Sequence, residues 1–129
     1  MKLVLTRRVI SKKNSKQLIK RGGRMFVVSS DAFAAYLTAA TIELRPQVKE
    51  KLTGPVRVHC DFYLKGNYKV DGDNLFTSIL DTLQHVGAIA DDGMVMAGSW
   101  RKYPACAGWG THIYIVPMGA KNAKAIHRL

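Results

Sequence analysis

Residues 56–87 have the sequence VRVHCDFYLKGNYKVDGDNLFTSILDTLQHVG, which contains the two clearest periodic patterns in the chain. Over 56–64, apolar residues occupy every second position, which predicts a strand with one buried face. From Asn74 the apolar residues recur at helical spacing and stop at Gly87, a residue type that commonly follows the last helical residue. These patterns predict a helix over 74–86 with Asp73 as its N-cap.

On the N-terminal side of this stretch, alternation over 2–10 predicts a strand and the polar residues 11–24 predict a loop. The apolar run 25–28 indicates a second short strand. Ser29 and Ser30 then offer an N-cap for a helix that starts at Asp31 and continues to Leu44. Pro46 is expected to bend or end this helix.

On the C-terminal side, residues 94–102 and 111–116 are typical of two further strands, separated by a turn that contains glycine. The predicted order is strand, strand, helix, strand, helix, strand, strand. Two helices inserted between strands, with adjacent strands at the end, favour an α+β fold of two layers, with two main helices on a mixed β-sheet.

The chain has 129 residues, 47% of them hydrophobic, which suits one globular domain. We assign this domain to residues 1–119 and treat 120–129 as a basic, mobile C-terminal tail. Cys60 and Cys106 are far apart in sequence, which favours buried thiols over a disulfide framework. No export signal or membrane-spanning run is recognisable, so we expect a cytoplasmic protein that does not bind a membrane.

The charge distribution favours a polyanionic partner. The net charge is +11, yet all nine acidic residues lie between Asp31 and Asp92. Residues 1–30 contain nine Lys or Arg and no acid, and residues 93–129 contain five and no acid. Two acid-free flanks around an acidic centre indicate a cationic surface that binds nucleic acid, while the carboxylates act locally.

A cluster of cations in the predicted N-terminal loop is the strongest candidate for binding the DNA backbone. Its glycines permit close approach to phosphates, and such contacts would be independent of base sequence. The predicted DNA-binding residues are Lys12, Lys13, Asn14, Lys16, Lys20, Arg21, Arg24, Lys69 and Arg101.

Three aspartates form the candidate chemical site. Asp71 and Asp73 lie two residues apart before the predicted helix, and in an extended chain such residues face the same side. Asp92 follows the same helix and joins them only if residues 87–92 double back. Carboxylates without thiolates suit Mg²⁺, with Mn²⁺ as a possible substitute, and we expect no organic cofactor. The alternative is that these aspartates only form a helix cap and a turn.

The segment VDGDNLFTSILDTLQHVGAIADD, residues 70–92, resembles the signature of RusA-type Holliday junction resolvases. The resemblance implies a homodimeric, Mg²⁺-dependent endodeoxyribonuclease that resolves four-way DNA junctions by paired cleavage during recombination and repair. It also implies that Asp71, Asp73 and Asp92 are the catalytic metal ligands. A two-fold dimer would present two equivalent sites to a nearly two-fold symmetric junction.

One position departs from the family pattern. The family carries a lysine four residues after the second aspartate, whereas this chain has Thr77, which cannot supply a cation there. Lys69 is the nearest substitute in sequence and is the fourth candidate catalytic residue, although it could equally bind only the DNA backbone. Lys65 and Lys102 are further candidates. The alternative functions are a less selective structure-specific nuclease and a non-catalytic DNA-binding protein.

Overall fold

The computed structural model describes residues 1–11, 16–29 and 31–119, with the backbone alone described in 16–21 and 24–29. Six strands and two α-helices occur in this part of the chain. In chain order they are β1 (Lys2–Leu5), β2 (Lys16–Arg21), β3 (Arg24–Ser29), α1 (Asp31–Leu44), β4 (Val56–Lys65), α2 (Gly72–Val86), β5 (Val95–Cys106) and β6 (Gly110–Pro117).

The main sheet has four strands in the order β1-β6-β4-β5. The β1–β6 and β6–β4 pairs are antiparallel, whereas β4 and β5 are parallel and are connected through α2. The sheet is therefore mixed, as the order of elements predicted. Because α2 returns the chain between two parallel strands, its N-terminus lies at the carboxyl end of β4.

Both helices contribute to the core against one face of this sheet. The alternating residues of β4 are buried there, together with the apolar stripe of α2, and the core includes Val58, Phe62, Leu75, Ile79 and Leu83. The helices are joined by a 2.9 Å hydrogen bond between the Tyr36 hydroxyl and Thr82 Oγ1. Thr82 donates its own hydrogen to the Ser78 carbonyl, so Tyr36 is the donor to Thr82. The predicted two-layer α+β fold is confirmed.

Several predicted element bounds are wrong. Strand β1 ends at Leu5 instead of continuing to Ile10, because Thr6 and Arg7 bind the Glu43 carboxylate on α1. The predicted loop over 11–24 contains β2, which forms a hairpin with β3. Its connection is the pair Gly22 and Gly23, both at positive φ (58° and 76°), as a tight turn with the twist of a hairpin requires.

The other element predictions hold more closely. Helix α1 covers the predicted residues 31–44 and a short 3-10 turn at Arg45–Gln47 places Pro46 directly after it. Ser30, one of the two predicted capping residues, lies outside the described residues. Of the two thiols, Cys60 is buried, but Cys106 is only partly buried, contrary to expectation. Within the described residues, no helix combines the length and apolar character that crossing a bilayer requires.

Candidate functional site

The N-terminus of α2 does not have the predicted cap. Asp71 is the N-cap residue, in an extended conformation (φ −68°, ψ 121°), and its Oδ1 accepts a 2.9 Å hydrogen bond from the Asp73 backbone N–H. Helix α2 therefore begins at Gly72, two residues earlier than predicted. Asp71 is extended and Asp73 lies in the first helical turn, so the two side chains line different depressions of the surface. They nevertheless adjoin, because the Asp71 carboxylate contacts the Asp73 backbone.

On one side of this helix terminus, Asp71 lines an open cleft of about 820 Å³. Two cations, Lys69 and Lys102, line the same cleft. Lys102 is held in place there, because its Nζ donates a 2.8 Å hydrogen bond to the Val70 carbonyl. The cleft thus combines one carboxylate with two ammonium groups, an arrangement suited to a phosphate and a cation together.

On the other side, Asp73 lines a groove of about 380 Å³ between α2 and β5. The Trp100 indole N–H donates a 2.9 Å hydrogen bond to Asp73 Oδ1 and so orients this carboxylate. The indole ring also packs directly on Gly72, where a Cβ atom would lie 2.4 Å from the ring. Glycine at position 72 is therefore required for the close approach of helix and strand that positions Asp73.

Asp92 lies beside the C-terminal part of α2. Its backbone N–H donates a 3.1 Å hydrogen bond to Gln84 Oε1, and β5 then starts with Val95 paired to Val56. Residues 87–92 therefore do not double back to the start of the helix, as a shared site required. Asp92 lines the same groove as Asp73, but no group of three His, Cys, Asp or Glu side chains in the described part of the chain is placed to hold one ion.

The carboxyl groups at 91 and 92 interact with each other. A hydrogen bond with Asp91 raises the pKa of Asp92, and partial desolvation and the charge of Asp91 act in the same direction. The backbone N–H of Gly93 donates to Asp91 Oδ1 and lowers the pKa of Asp91. The two groups therefore titrate as a pair.

The candidate cations occupy different faces of the sheet. Arg101 is exposed on the face opposite the helices, where a hydrogen bond with Tyr103 raises its pKa, and it lies away from the cleft. Lys69 and Lys102 are the cations beside Asp71. Thr77 is exposed on α2 and donates a 2.9 Å hydrogen bond to the Asp73 carbonyl, so its hydroxyl serves the helix. Lys102, considered only as a further candidate from the sequence, has the best-defined position.

The predicted DNA-binding residues of the N-terminal region are only partly described. Lys12, Lys13 and Asn14 lie outside the described residues. The backbones of the other four belong to the β2–β3 hairpin and not to a loop: Lys16, Lys20, Arg21 and Arg24.

The roles of three residues of this region were not predicted from the sequence. Trp100 is separated from Asp73 by 27 positions, so no local motif links them. Gly72 gives no signal of its own in the sequence, because the ring that packs on it comes from β5. Tyr68 lines the cleft beside Lys69, and its position immediately before that lysine was the only available signal.

The donors present fit a hard divalent cation. Asp71 and Asp73 each use one carboxylate oxygen, Oδ1, in the hydrogen bonds described above. Magnesium commonly retains several waters and binds one or two protein carboxylates plus a substrate phosphate, so a closed cage of three acids is not needed. Asp71 and Asp73 would hold such an ion, with Asp92 at the far part of the groove.

Fold and site together define a basic α+β protein with acidic side chains at a helix terminus beside a cation-lined cleft. The sequence model of the family Endodeoxyribonuclease RusA matches residues 8–115. The chain therefore belongs to the RusA endodeoxyribonuclease family. No curated protein gives a significant match to the sequence.

Proposed function

We propose that this protein is a Mg²⁺-dependent endodeoxyribonuclease that resolves four-way DNA junctions by paired cleavage during recombination and repair. One observation carries the proposal: in a chain of this family, Asp71 lies beside Lys69 and Lys102 in one cleft at the start of α2, with Asp73 on the adjoining helical turn. Mn²⁺ is the expected substitute for Mg²⁺.

The residues of the site have different proposed roles. Lys69 and Lys102 would bind a DNA phosphate in the cleft and neutralise the charge that develops there. Asp71 and Asp73 hold the metal ion, and Trp100 fixes the orientation of Asp73. The ion, when bound, lowers the pKa of an attacking water and stabilises charge on the phosphate. Lys69 and Lys102 thereby supply the positive charge that Thr77 cannot supply.

Asp92 is the third proposed ligand. We propose that it contributes only when bound DNA links it to the metal ion. It lines the groove that begins at Asp73, so a nucleic acid strand in that groove passes both residues. We further propose a homodimer, since two symmetric sites are what paired cleavage of a junction requires. The hairpin cations Lys16, Lys20, Arg21 and Arg24, together with Lys12, Lys13, Asn14 and Arg101, would bind more distant parts of the DNA.

The test uses purified protein with Mg²⁺ and three labelled substrates: a four-way junction, a flap and a duplex of matched sequence. We expect symmetric nicks in the junction, little cleavage of the duplex, and loss of cleavage in EDTA. Equal cleavage of flap and junction would identify a less selective structure-specific nuclease. Binding of all three substrates without any cleavage would overturn the catalytic proposal and leave a DNA-binding protein.

A further inference from the structure

The cleft beside Asp71 is lined by an aromatic residue, Tyr68, that has no role in the proposed cleavage reaction. Tyr68 lines this cleft together with Asn67, Lys69 and Lys102. Its volume of about 820 Å³ is in the range of pockets that accept whole small ligands. One phosphate and one hydrated ion would leave most of it free.

The Tyr68 ring is held rigidly from behind. The Arg8 guanidinium carbon lies 4.3 Å from the ring centroid, and Arg8 also donates a hydrogen bond to the Tyr68 hydroxyl. Trp109 meets the ring edge-on, with a centroid distance of 5.2 Å, and the same guanidinium lies 5.6 Å from the Trp109 ring centroid. Arg8 and Trp109 line a separate small cavity with Tyr68 and do not line the cleft, so they contact the ring from the side of that cavity.

This arrangement matches the chemistry of an unstacked nucleotide. A rigid aromatic ring gives a nucleobase a stacking surface that every base can use. The Asn67 side-chain amide offers both a donor and an acceptor to the edge of a base, and Lys69 and Lys102 supply charge for the adjoining phosphate. A base within an intact duplex has both faces covered by its neighbours, so only an unpaired or displaced base can use the ring.

We propose that this cleft binds one unstacked nucleotide of DNA, with its base on Tyr68 and its phosphate between Lys69 and Lys102. The proposal rests on the proposed function and deepens it, because the subsite supplies a physical reason for preferring branched DNA. A branch point provides an unstacked base at low cost, whereas a perfect duplex must first be opened. Tyr68 is thus a specificity-determining residue of the cleft.

The test compares two duplexes in EDTA, identical except that one carries a single unpaired thymidine and the other an abasic residue at that place. The wild-type protein is expected to bind the thymidine duplex about fivefold more tightly or better, as expected for one stacked base. Tyr68→Leu should abolish this ratio with little change in affinity for the abasic duplex, whereas Tyr68→Phe should keep it. Tyr114→Leu, on the opposite face of the sheet, is the matched control and should also keep it.

Equal affinity of the wild-type protein for the two duplexes would overturn the proposal, as would a ratio that survives in Tyr68→Leu. If that variant does not fold, photocrosslinking of wild-type protein decides. A 5-iodouracil at the unpaired position should crosslink to the peptide containing Tyr68, and crosslinking confined to other peptides contradicts the subsite. Absence of cleavage with Mg²⁺ would refute the proposed function while leaving this binding ratio unchanged, so the two failures are distinguishable.

Discussion

The cleft and the groove both adjoin the start of α2 and differ in their chemistry. The cleft is lined by Asp71 with two lysines and a tyrosine, whereas the groove is lined by Asp73 and Asp92 among apolar residues of α2 and β5. Both lysines thus lie in the cleft, whereas two of the three aspartates lie in the groove. In the proposed function, the lysines of the cleft bind phosphate and the ion binds where the cleft and the groove meet, between Asp71 and Asp73.

The largest expected effect is a loss of junction cleavage when the charge of Asp73, in the groove, is removed. Asp73→Asn keeps an oxygen that can accept the Trp100 hydrogen bond but removes the negative charge that a metal ion requires. We expect junction cleavage to fall by more than about a hundredfold, since metal stabilisation of the transition state is worth several kcal/mol. Single-turnover cleavage measures the rate, and a binding assay should show unchanged or stronger junction affinity. Glu50→Gln, at the other end of the sheet, is the control and should retain full activity.

The second effect concerns the contact between Gly72 and the Trp100 ring. Gly72→Ala places a methyl group against the Trp100 ring, which must move, and overpacking of this kind costs about 1–3 kcal/mol. Urea denaturation should show this loss in the free energy of unfolding. Gly54→Ala is the matched control, because a Cβ there meets no atom within 4 Å and its φ is not positive. Equal stability of the two variants would contradict the tight packing of α2 on β5.

Part of the structure around α2 could be predicted from the sequence. The apolar period of α2 and its end at Gly87, which has a left-handed φ of 82°, could be predicted because both are local properties. The directions in which the Asp71 and Asp73 side chains point could not be predicted, since they depend on whether the helix starts at Gly72 or Asn74. A shift of two residues in that start turns one carboxylate towards the cleft and the other towards the groove.

The remaining errors have two causes. Strand β2 was missed because its residues are polar, although the Gly22-Gly23 pair is a recognised hairpin turn signal. The link from Trp100 to Asp73 depends on the parallel pairing of β4 with β5, which brings distant segments together. No single-sequence pattern encodes that register, so the spacing of the acids and the family resemblance identified the candidate aspartates, whereas the contact of Trp100 with Asp73 could not be predicted.

A smaller effect is expected in the cleft. Lys69→Gln removes one candidate phosphate contact and should lower the slope of log affinity against log salt concentration by about 0.9. Titration of a labelled junction at several salt concentrations measures this slope. Lys51→Gln, an exposed lysine outside the cleft, should leave it unchanged. Identical slopes for both variants would remove Lys69 from the binding surface.

The smallest effect tests the contact between α1 and the residues that follow β1. Partial burial opposes ionisation of Glu43, but hydrogen bonds from Thr6 and Arg7 outweigh it and lower the pKa of this carboxyl. A lowered pKa contributes stability that is complete above the unfolded-state pKa of about 4.3 and is lost as pH falls through the folded-state value. Glu43→Gln should therefore destabilise the protein by about 1 kcal/mol at pH 7 and by progressively less towards pH 3. Urea denaturation across this range checks it, and a stability difference independent of pH would contradict it.

The central claim, that Asp71 and Asp73 hold the divalent ion, is tested most directly by iron-mediated cleavage of the protein. Fe²⁺ with ascorbate and peroxide replaces Mg²⁺, and the broken peptide bonds are mapped by mass spectrometry. We predict breaks close to residues 71–73 that excess Mg²⁺ suppresses and that the double variant Asp71→Asn, Asp73→Asn does not show. Breaks confined to other segments, or breaks near 71–73 that Mg²⁺ does not suppress, would contradict the account.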